Sequence, residues 1–162
     1  MPVLVKEDGS VIDESLDIML WALERADPQG WLAILRDDEP LVRAHLDAVD
    51  HDFKHHLDRY KYATRYEDSD AVKQRQAGVV YLEKWNDMLG AQTALSGSAL
   101  GLLDYATLPF VRQFRIADKD WFDAQPWPHL HGWLHDFLES AAFAAIMRKY
   151  KPWNETGEEI AF

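Results

Sequence analysis

The 162 residues are 48% hydrophobic, enough to bury a sizeable core, and their number suits one compact domain or one domain plus a fragment. A formal charge of −11 repels phosphate backbones and anionic lipid, which argues against nucleic-acid and membrane-surface roles. The absence of cysteine excludes disulfides, thiolate metal sites and a cysteine nucleophile within these residues, and fits a cytosolic protein.

Val3-Leu4-Val5 and Val11-Ile12 bracket Glu7-Asp8-Gly9-Ser10. Asp-Gly between β-branched runs predicts a hairpin, because both residues tolerate the positive φ of a tight turn. Leu16, Met19, Leu20 and Leu23 then fall on one helical face, with Asp13 or Ser15 suited to cap the start and Pro28-Gln29-Gly30 to end it. A long helix is predicted over 40–60, with Pro40 in its first turn and Leu46, Val49, Phe53 and Leu57 on its face. A polar loop at 66–70 leads to a second helix over 72–90, and Ser96-Gly97-Ser98 is a loop. The apolar stretch 102–114, interrupted by Asp104, Pro109 and Arg112, reads as a buried central helix. Residues 119–122 form a connector, Leu130, Trp133, Leu134, Phe137 and Leu138 mark another helix, and 141–150 the last.

The fold class is therefore mainly α, with one hairpin and its helix ahead of a helical bundle. No apolar run approaches the ~20 residues of a membrane span, and the N-terminus lacks the basic start of a signal peptide. A lone two-stranded hairpin is marginal in water, and its edge offers unpaired backbone groups to a partner.

Three constellations stand out. His51/His55 and His131/His135 have the i, i+4 spacing with which two imidazoles share a metal, but neither sits in an HExxH frame and no third ligand is evident. Solvated or hydrogen-bonded histidines and no metal site are the expectation. Arg59-Tyr60-Lys61-Tyr62-Ala63-Thr64-Arg65-Tyr66 is a basic, aromatic cluster too short to read as nucleic-acid binding in so acidic a chain. Asp104 lies among Leu, Tyr and Ala and needs a partner if buried.

MPVLVKEDGSVIDES resembles the second half of the thioredoxin-like domain of glutathione S-transferases, with a residue, Pro, strand, turn, strand and Glu-Ser at a helix start. LLDYATLPFVRQFRIADKDWF resembles the central helix of the family's all-helical domain, and PHLHGWLHDFLES the helix after it. The resemblance divides the chain into a partial thioredoxin-like, glutathione-binding domain over 1–27 and an all-helical C-terminal-like domain over 28–162.

It also implies roles. Pro2 is the family's cis proline, and the backbone of Met1 pairs with the cysteinyl part of glutathione. Ser15 and its N–H hold the γ-glutamyl carboxylate, with Glu14 beside the γ-glutamyl ammonium; on spacing alone the two residues also read as an ordinary helix start. Tyr60, Tyr62, Arg65 and Tyr66 fall beside the cleft for the electrophile, or equally form a solvated helix end or an interface. Asp104 belongs to a capping box whose usual Ser or Thr is here Gly101, a folding role rather than a catalytic one.

The family's reactive Tyr, Ser or Cys precedes the cis proline and has no counterpart in these residues, so no catalytic residue is assigned. Either the chain is part of a longer protein or it begins beyond the catalytic strand. The implied activity is conjugation of glutathione, the co-substrate, to a small electrophile, or thiol transfer with a disulfide. The expected form is a cytoplasmic homodimer; the alternative is a non-catalytic binding or assembly module.

Overall fold

Leu4–Val5 (β1) and Val11–Ile12 (β2) pair antiparallel, Leu4 opposite Ile12 and Val5 opposite Val11, in the computed structural model, which describes residues 2–66 and 70–157. Gly9 takes φ +80°, and the turn closes through Lys6 N–H to Ser10 O and Gly9 N–H to Lys6 O, each at 2.9 Å. The Asp-Gly signal thus falls on the turn itself. Strand alternation puts Val5 and Val11 in solvent together and half-buries Leu4 and Ile12.

Helix α1 (Ser15–Arg25) lays Leu16, Met19, Leu20 and Leu23 against the bundle, as their spacing predicts. Its cap is neither Asp13 nor Ser15. Ser15 is already the first helical residue, and the capping position belongs to Glu14, whose side chain makes no cap hydrogen bond. A five-residue helix, α2 (Ala33–Asp37), was not expected, being too short to carry a period. Asp27 seats its approach by accepting the N–H groups of Trp31 at 2.8 Å and Leu32 at 2.9 Å.

The helix expected over 40–60 runs as α3 (Glu39–Asp47), a π-helical stretch (Ala48–Phe53) and α4 (Lys54–Lys61). Asp38 starts it by accepting the Leu41 N–H at 3.2 Å. Helix α5 (Ala71–Ala91) is capped by Asp70, which accepts from Val72 and Lys73. Then come α6 (Leu102–Ala117), α7 (Lys119–Asp123), α8 (Pro128–Leu138), α9 (Ala141–Ile146) and α10 (Trp153–Thr156).

Two expectations over this stretch are corrected. The connector at 119–122 is helix α7, started by Asp118 accepting from Trp121 N–H and anchored by buried Phe122. The last predicted helix stops at Ile146 rather than Tyr150; its one half-buried residue is Phe143, and residues 147–150 are exposed.

The core lies among α3–α4, α5, α6 and α8 around Phe53, Trp85 and Phe114. Phe53 meets Trp85 edge-on at 4.8 Å and stacks on Phe114 at 5.5 Å, both favourable aromatic geometries. Gly78 lets α5 pass the Phe114 ring; a Cβ there would stand 2.6 Å from it. Among the described residues no helix is long and apolar enough to cross a membrane.

Candidate functional site

The N-terminal end of α1 faces the π-helical stretch and α6 across a cavity of about 350 Å³. Pro2, Glu14, Ser15 and Met19 line it from the N-terminal segment and α1, Leu46 from α3, and Tyr105 and Phe110 of α6 give it an aromatic wall. The volume lies at the small end of the range for ligand pockets.

Each wall has a local cause. The first N–H groups of α1 have no acceptor one turn back, since the ladder opens with Ile18 N–H to Glu14 O at 2.9 Å. With no side-chain cap, this end of an 11-residue helix suits an anion. In α6, Pro109 lacks the N–H that would bond the Tyr105 carbonyl, so the helix carries a backbone acceptor where it borders the cavity. The Tyr105 ring is held flat against Trp31, with centroids 4.2 Å apart and an 18° interplanar angle. The π-helical stretch contributes Val49 and Asp50, and Lys54 follows one residue after it. Such one-turn widenings recur at functional sites because they re-aim side chains without breaking the helix.

Behind this wall the start of α6 is tied down by Asp104, which is fully buried. Its carboxylate accepts from the N–H groups of Leu95 (2.8 Å), Ser96 (3.0 Å) and Gly101 (3.0 Å) and from the Trp133 indole (2.8 Å). Gly101 has no side chain with which to complete a reciprocal box. The Ser96 hydroxyl does so instead, accepting the Leu103 N–H at 3.1 Å. It sits where a side chain at 101 would go, since a Cβ on Gly101 would stand 3.0 Å from both Ser96 Cβ and Oγ.

His45, on α3, reaches Thr107 of α6. Thr107 Oγ donates to the Leu103 carbonyl at 2.7 Å and so accepts from His45 Nε2 at 3.0 Å, which assigns the imidazole proton to Nε2. Burial pulls the His45 pKa down to about 4, Lys84 adding to the effect and Asp104 opposing it.

The family model for the glutathione S-transferase C-terminal domain matches residues 41–136, which run from α3 to α8 and include the π-helical stretch and α6. The chain belongs to the glutathione S-transferase family. The fold is similar to the crystal structure of a glutathione S-transferase from Rhodospirillum rubrum F11, with 20% identity and a TM-score of 0.68 over 93% of this chain and 71% of that one. No curated protein matches.

Within this transferase fold, the structure brings together Pro2, Glu14 and Ser15, the glutathione-side residues expected from the sequence, at one cavity. Met1 and its bond to Pro2 lie outside the described residues. Tyr60, Tyr62, Arg65 and Tyr66 do not line that cavity. They gather at the far end of α4. Tyr60 packs on Phe114 at 4.9 Å, Tyr62 lies between Lys61 at 4.8 Å and Arg65 at 4.2 Å, and Tyr66 lies under Arg59 at 4.7 Å.

Three of the four paired histidines have partners of their own. His51 stands 3.4 Å from Asp47, His55 Nδ1 accepts from Arg59 at 3.0 Å, and His131 Nε2 donates to the Phe122 carbonyl at 3.2 Å. Among the described residues no group of three or more His, Cys, Asp or Glu side chains is placed to hold a metal.

Sequence reasoning missed Met19, Asp50, Lys54, Tyr105, Phe110 and Gln113 as cavity residues. Met19 and Phe110 lie in runs whose periodicity reads only as core. The one available signal was Tyr105, a polar-tipped ring beside Asp104 in an apolar helix.

Proposed function

We propose that this chain holds glutathione against Pro2, Glu14 and Ser15 and a small electrophile against the wall of Tyr105 and Phe110, as the cleft of a glutathione S-transferase. The observation that carries the reading is that these three N-terminal residues, read from sequence as the glutathione side, share one cavity with an apolar, aromatic wall. On this reading residues 1–27 are the remnant of a thioredoxin-like domain and 28–162 the helical domain. Ser15 and the first N–H groups of α1 take the γ-glutamyl carboxylate, Glu14 the ammonium, and the Met1 backbone the cysteinyl part.

On this reading the attacking thiolate is glutathione's own. In conjugation a C–S bond forms as the leaving group departs with the electron pair of its bond to carbon. In thiol transfer an S–S bond breaks as a new one forms, with no net oxidant. The group that lowers the thiol's pKa is not assigned to any residue of this chain, so positioning exceeds activation and catalysis by these residues is weak. Action in the cytoplasm, where glutathione is kept as the thiol, belongs to the same proposal.

Calorimetric titration of the full chain tests it. Saturable glutathione binding is expected with a dissociation constant of roughly 1 mM, about −4 kcal/mol, weakened several-fold by Ser15→Ala and by Glu14→Gln. Binding that survives both substitutions unchanged sinks the residue assignment. No saturable binding at all transfers the weight to the second reading, a non-catalytic assembly module.

That second reading has its own observation. Val3, Val5 and Val11 are 61%, 65% and 58% exposed on the hairpin, a surface suited to cover by another chain. A homodimer is proposed under either reading, and sedimentation across a concentration series measures it.

A further inference from the structure

Among the described residues, Lys54 is the one cationic side chain that lines the cavity. The described lining carries the carboxylates of Glu14 and Asp50 and the ammonium of Lys54 among Leu, Met, Val, Ala, Pro, Tyr and Phe side chains. We propose that Lys54 and Gln113 make the electrophile end of this cleft selective for a flat, largely apolar molecule bearing a carboxylate or sulfonate. The inference rests on the glutathione reading of the opposite end.

Four features support it. Lys54 Nζ stands 3.4 Å from Asp50 Oδ1, well beyond the roughly 2.8 Å of a tight charge-assisted bond, so the pair is loose and the ammonium can turn to a better acceptor. Lys54 and Asp50 are 35% and 21% exposed, so an ion pair made there is less screened than one on the surface. Gln113 Oε1 already accepts from Lys61 Nζ at 3.0 Å, which leaves the Gln113 amide to offer N–H donors to the cavity it lines. Finally, the Tyr105 ring is braced on Trp31 and presents a fixed flat wall rather than an adaptable one. In a chain of net charge −11 an anion is repelled at long range, so its recognition needs a local cation such as this one.

The test compares two fluorescent probes of the same ring system, 8-anilino-1-naphthalenesulfonate and neutral N-phenyl-1-naphthylamine, titrated into the full chain at low salt. The sulfonate is expected to bind tighter. Lys54→Met should weaken it about tenfold and leave the neutral probe unchanged, while Lys54→Arg restores the preference. Asp50→Asn, which releases the ammonium, should tighten the sulfonate several-fold. Circular dichroism of each variant separates these effects from unfolding.

Equal weakening of both probes, no effect of Lys54→Met, or no binding of either probe overturns the proposal. Arg112→Gln is the control for the neighbouring groove, which Arg112, Ile116 and Phe143 line. Loss of the sulfonate preference in that variant instead of in Lys54→Met also overturns it. Failure of glutathione to bind in the calorimeter, with the probe discrimination intact, removes the transferase reading but leaves an anion-selective apolar pocket.

Discussion

Asp104 shows why one carboxylate can matter more to this chain than any surface ion pair. Its oxygens satisfy four donors at the start of α6, and truncation leaves buried N–H groups without acceptors. Asp104→Ala should therefore cost upwards of ~3 kcal/mol, read from urea unfolding. Ser96 and Gly101 make a sharper test, because the hydroxyl of one occupies the place of the other's side chain. Gly101→Ser alone should destabilise by overpacking, Ser96→Gly alone by losing the cap, and the double variant should recover much of both losses, a non-additive cycle. Additive losses would refute the exchange.

His45 supplies a pH dependence. Its folded pKa of about 4 lies below the ordinary 6.5, so between those values the unfolded chain binds a proton that the folded chain does not. Stability from this group is complete above pH 6.5 and falls as pH drops toward 4, by about 2 kcal/mol at pH 5. His45→Gln, which keeps a donor for Thr107, should flatten the curve between pH 7 and pH 5 relative to the parent.

At the scale of elements, helix α5 passes α6 at Gly78, where even a methyl group overlaps the Phe114 ring. Gly78→Ala should cost about 1–3 kcal/mol despite its gain in helix propensity, and Phe114→Leu in the same chain should relieve part of it. Thermal midpoints of the three variants check the sign.

The elements themselves were largely readable. Leu16-Met19-Leu20-Leu23 and Leu130-Trp133-Leu134-Phe137 carry enough period to place α1 and α8, and Asp8-Gly9 marks its turn. What could not be read was decided by contacts far apart in sequence. The π-helical widening at Ala48–Phe53 leaves no mark on the hydrophobic spacing of Leu46, Val49, Phe53 and Leu57, which stays helical throughout. Helix α9 is held by half-buried Phe143 against Phe137 of α8 at 5.0 Å and ends one turn later, although the composition of 147–150 permits more helix.

Across the whole molecule, stability should be uneven. The hairpin has two residues in each strand and exposes Val5 and Val11, whereas α6 buries seven of its residues among the other helices. Amide hydrogen exchange should find the Val5 and Val11 amides opening locally within seconds and the amides of α6 exchanging only with global unfolding. Addition of glutathione should slow exchange at the start of α1 before it changes α8, if the cleft is the binding site.

By itself the sequence determined the mainly helical class, the hairpin, the faces that form the core and the resemblance that led to Pro2, Glu14 and Ser15. Those features rest on local chemistry: turn residues, periodicity and capping, each complete within a few residues. Only the tertiary structure decided which residues meet. It put Lys54 and Gln113 into one cavity with Ser15, gave Gly101's missing cap to Ser96, and left Tyr60, Tyr62, Arg65 and Tyr66 off the cavity. Such meetings depend on the rotation and crossing of whole helices, set by packing around Phe53, Trp85 and Phe114, and no short stretch of sequence contains them.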